Sequence, residues 1–223
     1  MADQEIELAG AVLTARASGA LWWPAERLLC VADLHLGRSE RLARRGGALL
    51  PPYETRETLE RLAGEVAALA PATVVCLGDS FDDCEARDAL GEAEAARILA
   101  LAAGRDWVWI AGNHDPGPPG LGGRHMTELA LGPLAFRHAA RQGAAAGEVS
   151  GHYHPKLRMP VRGRAVTRAC FLVDGVRMIL PAFGAYTGGM HARHPALAAL
   201  FGPDARAILT GAPCRAVPLA ALA

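Results

Sequence analysis

Three short apolar runs constrain this chain more than any other feature: Leu28-Leu29-Cys30-Val31-Ala32, Thr73-Val74-Val75-Cys76-Leu77 and Trp107-Val108-Trp109-Ile110-Ala111. None alternates with polar residues, so both faces of each strand are expected to be covered, as in a largely parallel sheet. Between the first two, the stretch from Glu54 to Leu69 sets Leu59, Leu62, Val66 and Leu69 on one helical stripe. Between the second and third, Glu85 to Ala102 predicts another helix with its acids outward. Strand–helix–strand–helix–strand is the order of crossover units and places the chain in the α/β class. A hairpin over Ile6–Thr14 and Ala20–Trp23 precedes them. After Gly120 the pattern turns to short strands, expected at Leu134–Arg137, Glu148–Ser150, Leu157–Val161, Ala169–Val173 and Val176–Leu180. Pro116–Gly123 and Gly143–Gly147 read as surface loops, and no repeat or linker divides the 223 residues, so one domain is expected over 1–223. Trp22, Trp23, Trp107 and Trp109 are expected to pack on sheet faces rather than stack on bases.

Each apolar run ends in a polar cluster. The first gives Asp33-Leu34-His35, the second Gly78-Asp79-Ser80-Phe81-Asp82, the third Gly112-Asn113-His114-Asp115, and a later strand gives Gly151-His152-Tyr153-His154. In open α/β sheets the crevice beyond the carboxyl ends of the strands takes the ligand. Singly these clusters are weak, since a D-x-H at a strand end is usually solvated. Together and in order they bring carboxylates, an amide and imidazoles to one place, the donor set of hard-to-borderline divalent cations, without a thiolate. The glycines before Asp79, Asn113 and His152 allow the backbone to turn sharply there.

Charge sums to zero but unevenly. Residues 1–115 carry 11 basic and 19 acidic side chains, and residues 116–223 carry 12 and 4. The run Lys156, Arg158, Arg162, Arg164 and Arg168 contains no acid; a solvated strand face is the plain reading and an anionic ligand the sharper one. One lysine against 22 arginines reads first as compositional bias. The five cysteines are scattered, with no C-x-x-C, and are expected to be reduced; with an acidic N-terminus and no apolar run of ~20 residues, a cytoplasmic protein clear of the membrane is expected.

The four clusters, in this order and over Asp33 to Pro155, resemble the calcineurin-like metallophosphoesterase superfamily. Asp33-Leu34-His35-Leu36-Gly37 and the segment Leu180-Pro-Ala-Phe-Gly-Ala-Tyr-Thr-Gly-Gly189 are similar to a narrower bacterial group, the ligase-associated DNA damage response endonucleases (the PdeM family). The resemblance implies a four-layer αββα sandwich of two facing mixed sheets flanked by helices, around two divalent ions. Manganese is the expected metal, with iron, zinc or magnesium as alternatives. Asp33, His35 and His154 would hold one ion, Asn113, His138 and His152 the other, and Asp79 would bridge them. His138 is a bare histidine at a strand end, for which a partly buried polar residue is the alternative and His125 the fallback ligand. The narrower group often has histidine where this chain has Asp82. Asp82 either supports the bridging site or caps the following helix, and Asp83 is assigned to capping.

Two such cations clamp a phosphate and lower the pKa of a bound water toward ~7. His114 is placed to protonate the leaving oxygen, with Asp115 expected to orient its ring and raise its pKa; a passive hydrogen bond to phosphate is the alternative. Arg38, Arg158, Arg162 and Arg164 are the candidate substrate contacts. The fold does not choose among monoesters, diesters and nucleic acids. The resemblance implies a DNA phosphodiesterase or endonuclease acting beside an ATP-dependent ligase and a helicase. The alternatives are an enzyme for small nucleotides or cyclic diesters, and a non-catalytic subunit of a repair complex.

Overall fold

A computed structural model describes residues 3–47, 51, 53–161 and 163–222. The first sheet holds seven strands in sequence order: β1 (Gln4–Leu8), β2 (Ala11–Ala15), β3 (Leu21–Trp23), β4 (Leu28–Val31), β5 (Thr73–Cys76), β6 (Asp106–Ile110) and β7 (Arg124–Met126). The first four run antiparallel and β4 through β7 parallel. Its helices are α1 (Arg38–Arg44), α2 (Glu54–Leu69), α3 (Cys84–Asp88) and α4 (Glu92–Ala102). The second sheet comprises β8 (Glu128–Leu131), β9 (Leu134–Arg137), β10 (Glu148–Ser150), β11 (Lys156–Val161), β12 (Arg164–Val173), β13 (Arg177–Ile179), β14 (Arg206–Leu209) and β15 (Arg215–Pro218). Its order is β15-β14-β12-β13-β10-β9-β8, with β11 paired to β12 alone. A short helix α5 (Pro195–Ala198) lies on its outer face.

Strand period explains the layers. Leu28, Cys30 and Ala32, with Val75, Val108 and Ile110, face the second sheet and pack against Phe136, Val149, Phe171 and Met178. The intervening Leu29, Val31, Val74, Cys76, Trp107 and Trp109 face the helices and meet Leu59, Leu62 and Val66 of α2 and Ile98 of α4. Each such leucine taken fully out of water contributes about 1.5–3 kcal/mol. The unbroken apolar runs thus reflect a sheet with a layer on either side, and the two mixed sheets flanked by helices are the expected sandwich. The tryptophans pack as expected, three buried and Trp22 partly so. Cys30, Cys76 and Cys170 are buried and free. No helix among the described residues is long and apolar enough to cross a membrane.

The structure corrects several expected elements. The stretch Ile6–Thr14 is two strands, not one, because Ala9 and Gly10 both take positive φ (49° and 84°) and close a two-residue turn with Leu8 opposite Ala11. Alanine in that place hides the turn from the sequence. The helix expected over Glu85–Ala102 breaks in two at Gly91, whose extended backbone (ψ 150°) starts α4 afresh. Strands β7, β8, β14 and β15 and helix α1 were not expected. They are short, and in α1 only Ser39 is buried, so no apolar period marks them.

Because Ala9 bears the strain of a left-handed residue, Ala9→Asn should stabilise the protein by about 0.5 kcal/mol, Asn-Gly being the favoured pair for this turn. Urea unfolding of the two proteins checks this; an unchanged midpoint would mean the turn is not strained.

Candidate metal centre

All four motifs fall where the sheets offer their strand ends. Asp33 and His35 follow β4, Asp79 and Asp82 follow β5, and Asn113 and His114 follow β6, at the carboxyl edge of the parallel half of the first sheet. His138 follows β9, and His152 and His154 follow β10, two strands that are parallel in the second sheet. The two edges meet. The His152 amide donates to Asp33 Oδ2 at 2.9 Å, and the Gly184 amide to the Asp33 carbonyl at 3.1 Å.

The ligand-type atoms converge in two main groups. Asp33, His35 and His154 form one, with His154 Nε2 at 3.3 Å from both His35 Nε2 and Asp33 Oδ1. Asp79, His138 and His152 form the other: His138 Nε2 lies 3.4 Å from Asp79 Oδ2 and 3.0 Å from His152 Nδ1, and Asn113 Oδ1 joins at 2.9 Å. Among the described residues, Asp33 Oδ1 is buried with no hydrogen-bond partner. A buried carboxylate oxygen without a partner costs several kcal/mol unless a cation satisfies it, on the order of the desolvation penalty of a charge. With carboxylate, amide and imidazole donors facing one another and no thiol among them, these residues fit a pair of divalent ions.

The local backbone is unusual. Asp33, His35, Asp79, His152 and His154 all have φ between 46° and 72°. This left-handed region costs a non-glycine residue roughly 1–2 kcal/mol and is found mainly where function demands it. Amide bonds over-determine it: Asp33 N meets the Gly78 carbonyl, His35 N the Asp79 carbonyl and Leu36 N the Ser80 carbonyl. Gly112 is required for space, since a Cβ there would collide with the Asp79 amide and carboxylate. The field of the site is negative. Burial alone lowers the His138 pKa, yet the hydrogen bond to Asp79 and the charges of Asp33 and Asp79 raise it to about 9. Burial raises Asp79, yet His138 and His114 hold it down to about 2.

The calcineurin-like phosphoesterase model matches residues 26–163. The chain belongs to that family. It is also similar to a solved structure described as the nuclease MPE of Pseudomonas putida, at 31% sequence identity and a TM-score of 0.73, over 96% of this chain and 100% of that one. Among curated proteins no match is found. As a calcineurin-like phosphoesterase the chain is a metal-dependent hydrolase of phosphate esters.

Within this phosphoesterase Asp82 has a defined place. It is 0% exposed, sits 2.8 Å from His35 Nδ1, and accepts from Arg38 Nη1 at 3.0 Å and Arg41 Nη1 at 2.8 Å. Burial would raise its pKa, but His35 and the two arginines hold it well below the usual carboxylate range. The Asp82 carboxylate stands against Nδ1 and leaves Nε2 on the side of His154, so that it can support His35 as a ligand from behind. Asp83 caps α3, accepting from the Ala86 amide at 2.7 Å, as expected.

Other expectations are corrected. Asp115 does not orient His114. Its carboxylate accepts the amides of Asp79 (2.9 Å), Ser80 (2.7 Å), Phe81 (3.2 Å) and Gly112 (3.2 Å), so it shapes the loop that carries Asp79. Burial and the Asp79 charge push its pKa up to about 6 against those bonds. The His114 ring instead rests with Nδ1 2.7 Å from the Asp82 carbonyl, its Nε2 4.0 Å from Asp79 Oδ2. His125, on β7, stands outside every ligand group among the described residues. Arg38 is tethered to Asp82 rather than free. The basic run is not one surface: in the register of β11 and β12, Lys156 and Arg158 share one face while Arg164 and Arg168 lie on the other. Arg162 lies outside the described residues.

Two measurements test these assignments. Asp82→Asn should weaken the ion nearest His35 by about 10–100-fold, the usual effect of losing a carboxylate behind a ligand; titration calorimetry reads it, and unchanged affinity would leave Asp82 as an anchor for the arginines only. Asp115→Ala should lower unfolding free energy by about 3 kcal/mol, since buried amides lose a charged acceptor. A loss of turnover with full stability would return Asp115 to the role first expected of it.

Proposed function

We propose that this phosphoesterase hydrolyses phosphodiester bonds in DNA, with manganese as its metal, in the cytoplasm and in repair alongside an ATP-dependent ligase and a helicase. The observation that carries the substrate is the likeness, over 96% of this chain and the whole of the other, to a structure described as a nuclease. The motif resemblance to the ligase-associated endonucleases supports the repair setting.

In this reading Asp33, His35 and His154 would hold one ion and Asn113, His138 and His152 the other, with Asp79 available to both. Such ions would supply positive charge for the phosphate and acidify a water at neutral pH. The chain's own residues do the rest. Asp82 and Asp115 fix the ligands and the Asp79 loop. His114, part-exposed and anchored through Nδ1, offers Nε2 to the leaving oxygen as a proton donor, a contact made only in the transition state. Arg158, exposed on the hairpin of β11 and β12, neutralises backbone phosphate next to the site.

The test combines chelation with one substitution. Treated with EDTA, the protein should cut neither DNA nor a p-nitrophenyl diester, and Mn²⁺ should restore both. His114→Ala should then lose about 10²–10⁴-fold in kcat on DNA, a poor leaving group, and much less on the activated ester, with both ions retained. Full activity in excess EDTA would sink the metal reading. Activity on the ester with none on any DNA would sink the DNA reading, and equal losses on both substrates would make His114 a phosphate contact.

A further inference from the structure

A groove of about 520 Å³ has walls that include Glu57, Arg61, Lys156, Thr167, Tyr186 and Thr210. Its position follows from the backbone. The segment Phe183–Met190 is laced to the site: the Gly184 amide donates to the Asp33 carbonyl, and the Met190 amide to the His154 carbonyl at 3.2 Å. Lys156 lies two residues beyond His154, and the charge of Arg38 reaches it. One wall of the groove is therefore a segment hydrogen-bonded to the main chain of Asp33 and His154.

Tyr186 stands out on its wall. It is 47% exposed, and its backbone is left-handed (φ 55°), a conformation a bulky aromatic rarely adopts. The chain around it is fixed. The Ala185 amide donates to Thr58 Oγ1 at 3.0 Å, Thr187 Oγ1 to the Gly184 carbonyl at 3.1 Å, and Lys156 Nζ to the Thr187 carbonyl at 2.8 Å. Arg61 grips the Phe183 carbonyl at 2.9 Å and lies over the Phe183 ring, 4.6 Å from its centroid. A loop held at several points thus carries an aromatic side chain that is about half exposed. The groove also carries the Glu57 carboxylate and the Thr167 and Thr210 hydroxyls, with Lys156 on the side of His154. The two cations of the lining are engaged by the chain, Arg61 on the Phe183 and Ser18 carbonyls and Lys156 on the Thr187 carbonyl, and an aromatic ring beside hydroxyl and carboxylate acceptors suits a ring bearing N–H groups. The volume lies within the range of small-ligand pockets.

We propose that this groove is a nucleoside subsite, in which Tyr186 stacks on the base of the nucleotide next to the phosphate being cleaved. The inference rests on the DNA reading above and adds to it a specificity-determining residue. One aromatic platform is sequence-tolerant, because every base has a π face, and is worth about tenfold in affinity or more. The base must leave its own stack to enter.

The test pairs a substitution with a change in the substrate. The metal-loaded protein is assayed on a short single-stranded DNA of defined cut site, and on the same DNA with one abasic residue walked past that site. Wild type should lose about tenfold in kcat/KM at one abasic position next to the cut. Tyr186→Ala should lose the same factor on intact DNA and nothing more from the abasic residue, whereas Tyr186→Phe should behave as wild type. The proposal is overturned if the two losses multiply, if Tyr186→Phe fails like Tyr186→Ala, or if wild type is indifferent to the abasic residue at every position. The last outcome, with intact DNA still cut, removes the subsite and leaves the DNA reading standing. A wild type that hydrolyses a small diester and no DNA removes both.

Discussion

The hydrogen bond from the His152 amide to Asp33 Oδ2 ties the two sheets together at the edge where the ligands stand, beyond the apolar core that they share. Asp33 follows β4 of the first sheet and His152 follows β10 of the second, so the bond fixes where one carboxyl edge stands against the other. The neighbouring bonds from Phe183 and Gly184 to the carbonyls of Ala32 and Asp33 extend the same seam. Hydrophobic contact is non-directional and would tolerate a small slide between the layers. Hydrogen bonds to a buried carboxylate would not, and the seam is what allows ligands from five strand ends to converge within a few ångströms of one another.

Much of the scaffold could be read because its physics is local. The stripe Leu59, Leu62, Val66 and Leu69 predicted α2 to the residue, and the apolar runs located β4, β5 and β6. What escaped had no period to betray it. The Ala9-Gly10 turn uses alanine where asparagine would announce it, and four-residue strands such as Arg206–Leu209 do not stand out in an alanine-rich chain. At the site, the residue types and their order pointed to metal chemistry before any geometry was in view. The roles behind the ligands were harder to see. Asp82 and Asp115 are both acids near a glycine-rich strand end, yet one touches an imidazole and the other four amides. That difference depends on which loop each faces in space, and spacing along the chain carries no trace of it.

Charge tells a similar story. The basic segment from Lys156 to Arg168 reads in sequence as one patch, but the two-residue period of β11 and β12 deals its members to opposite faces. Lys156 and Arg158 turn toward the face that borders the groove, whereas Arg168 donates to the Thr210 carbonyl and serves the fold. Near the acidic half of the chain, Arg38 and Arg41 are occupied in balancing Asp82. Counting charges therefore overstates how many cations remain for a polyanion.

The left-handed backbone at Asp33, His35, Asp79, His152 and His154 has a consequence for anyone who wishes to re-engineer the centre for another metal. Every exchange of a ligand there is also an exchange of a residue in a conformation that tolerates few side chains. Asparagine and aspartate accept it at low cost, and glycine at none, but a β-branched residue adds a steric penalty unrelated to coordination. Replacements by Asn or Gly therefore add no steric penalty to the loss of a ligand, while replacements by Val or Thr mix a chemical loss with a conformational one. The backbone has in effect restricted the alphabet of ligands that this centre can explore.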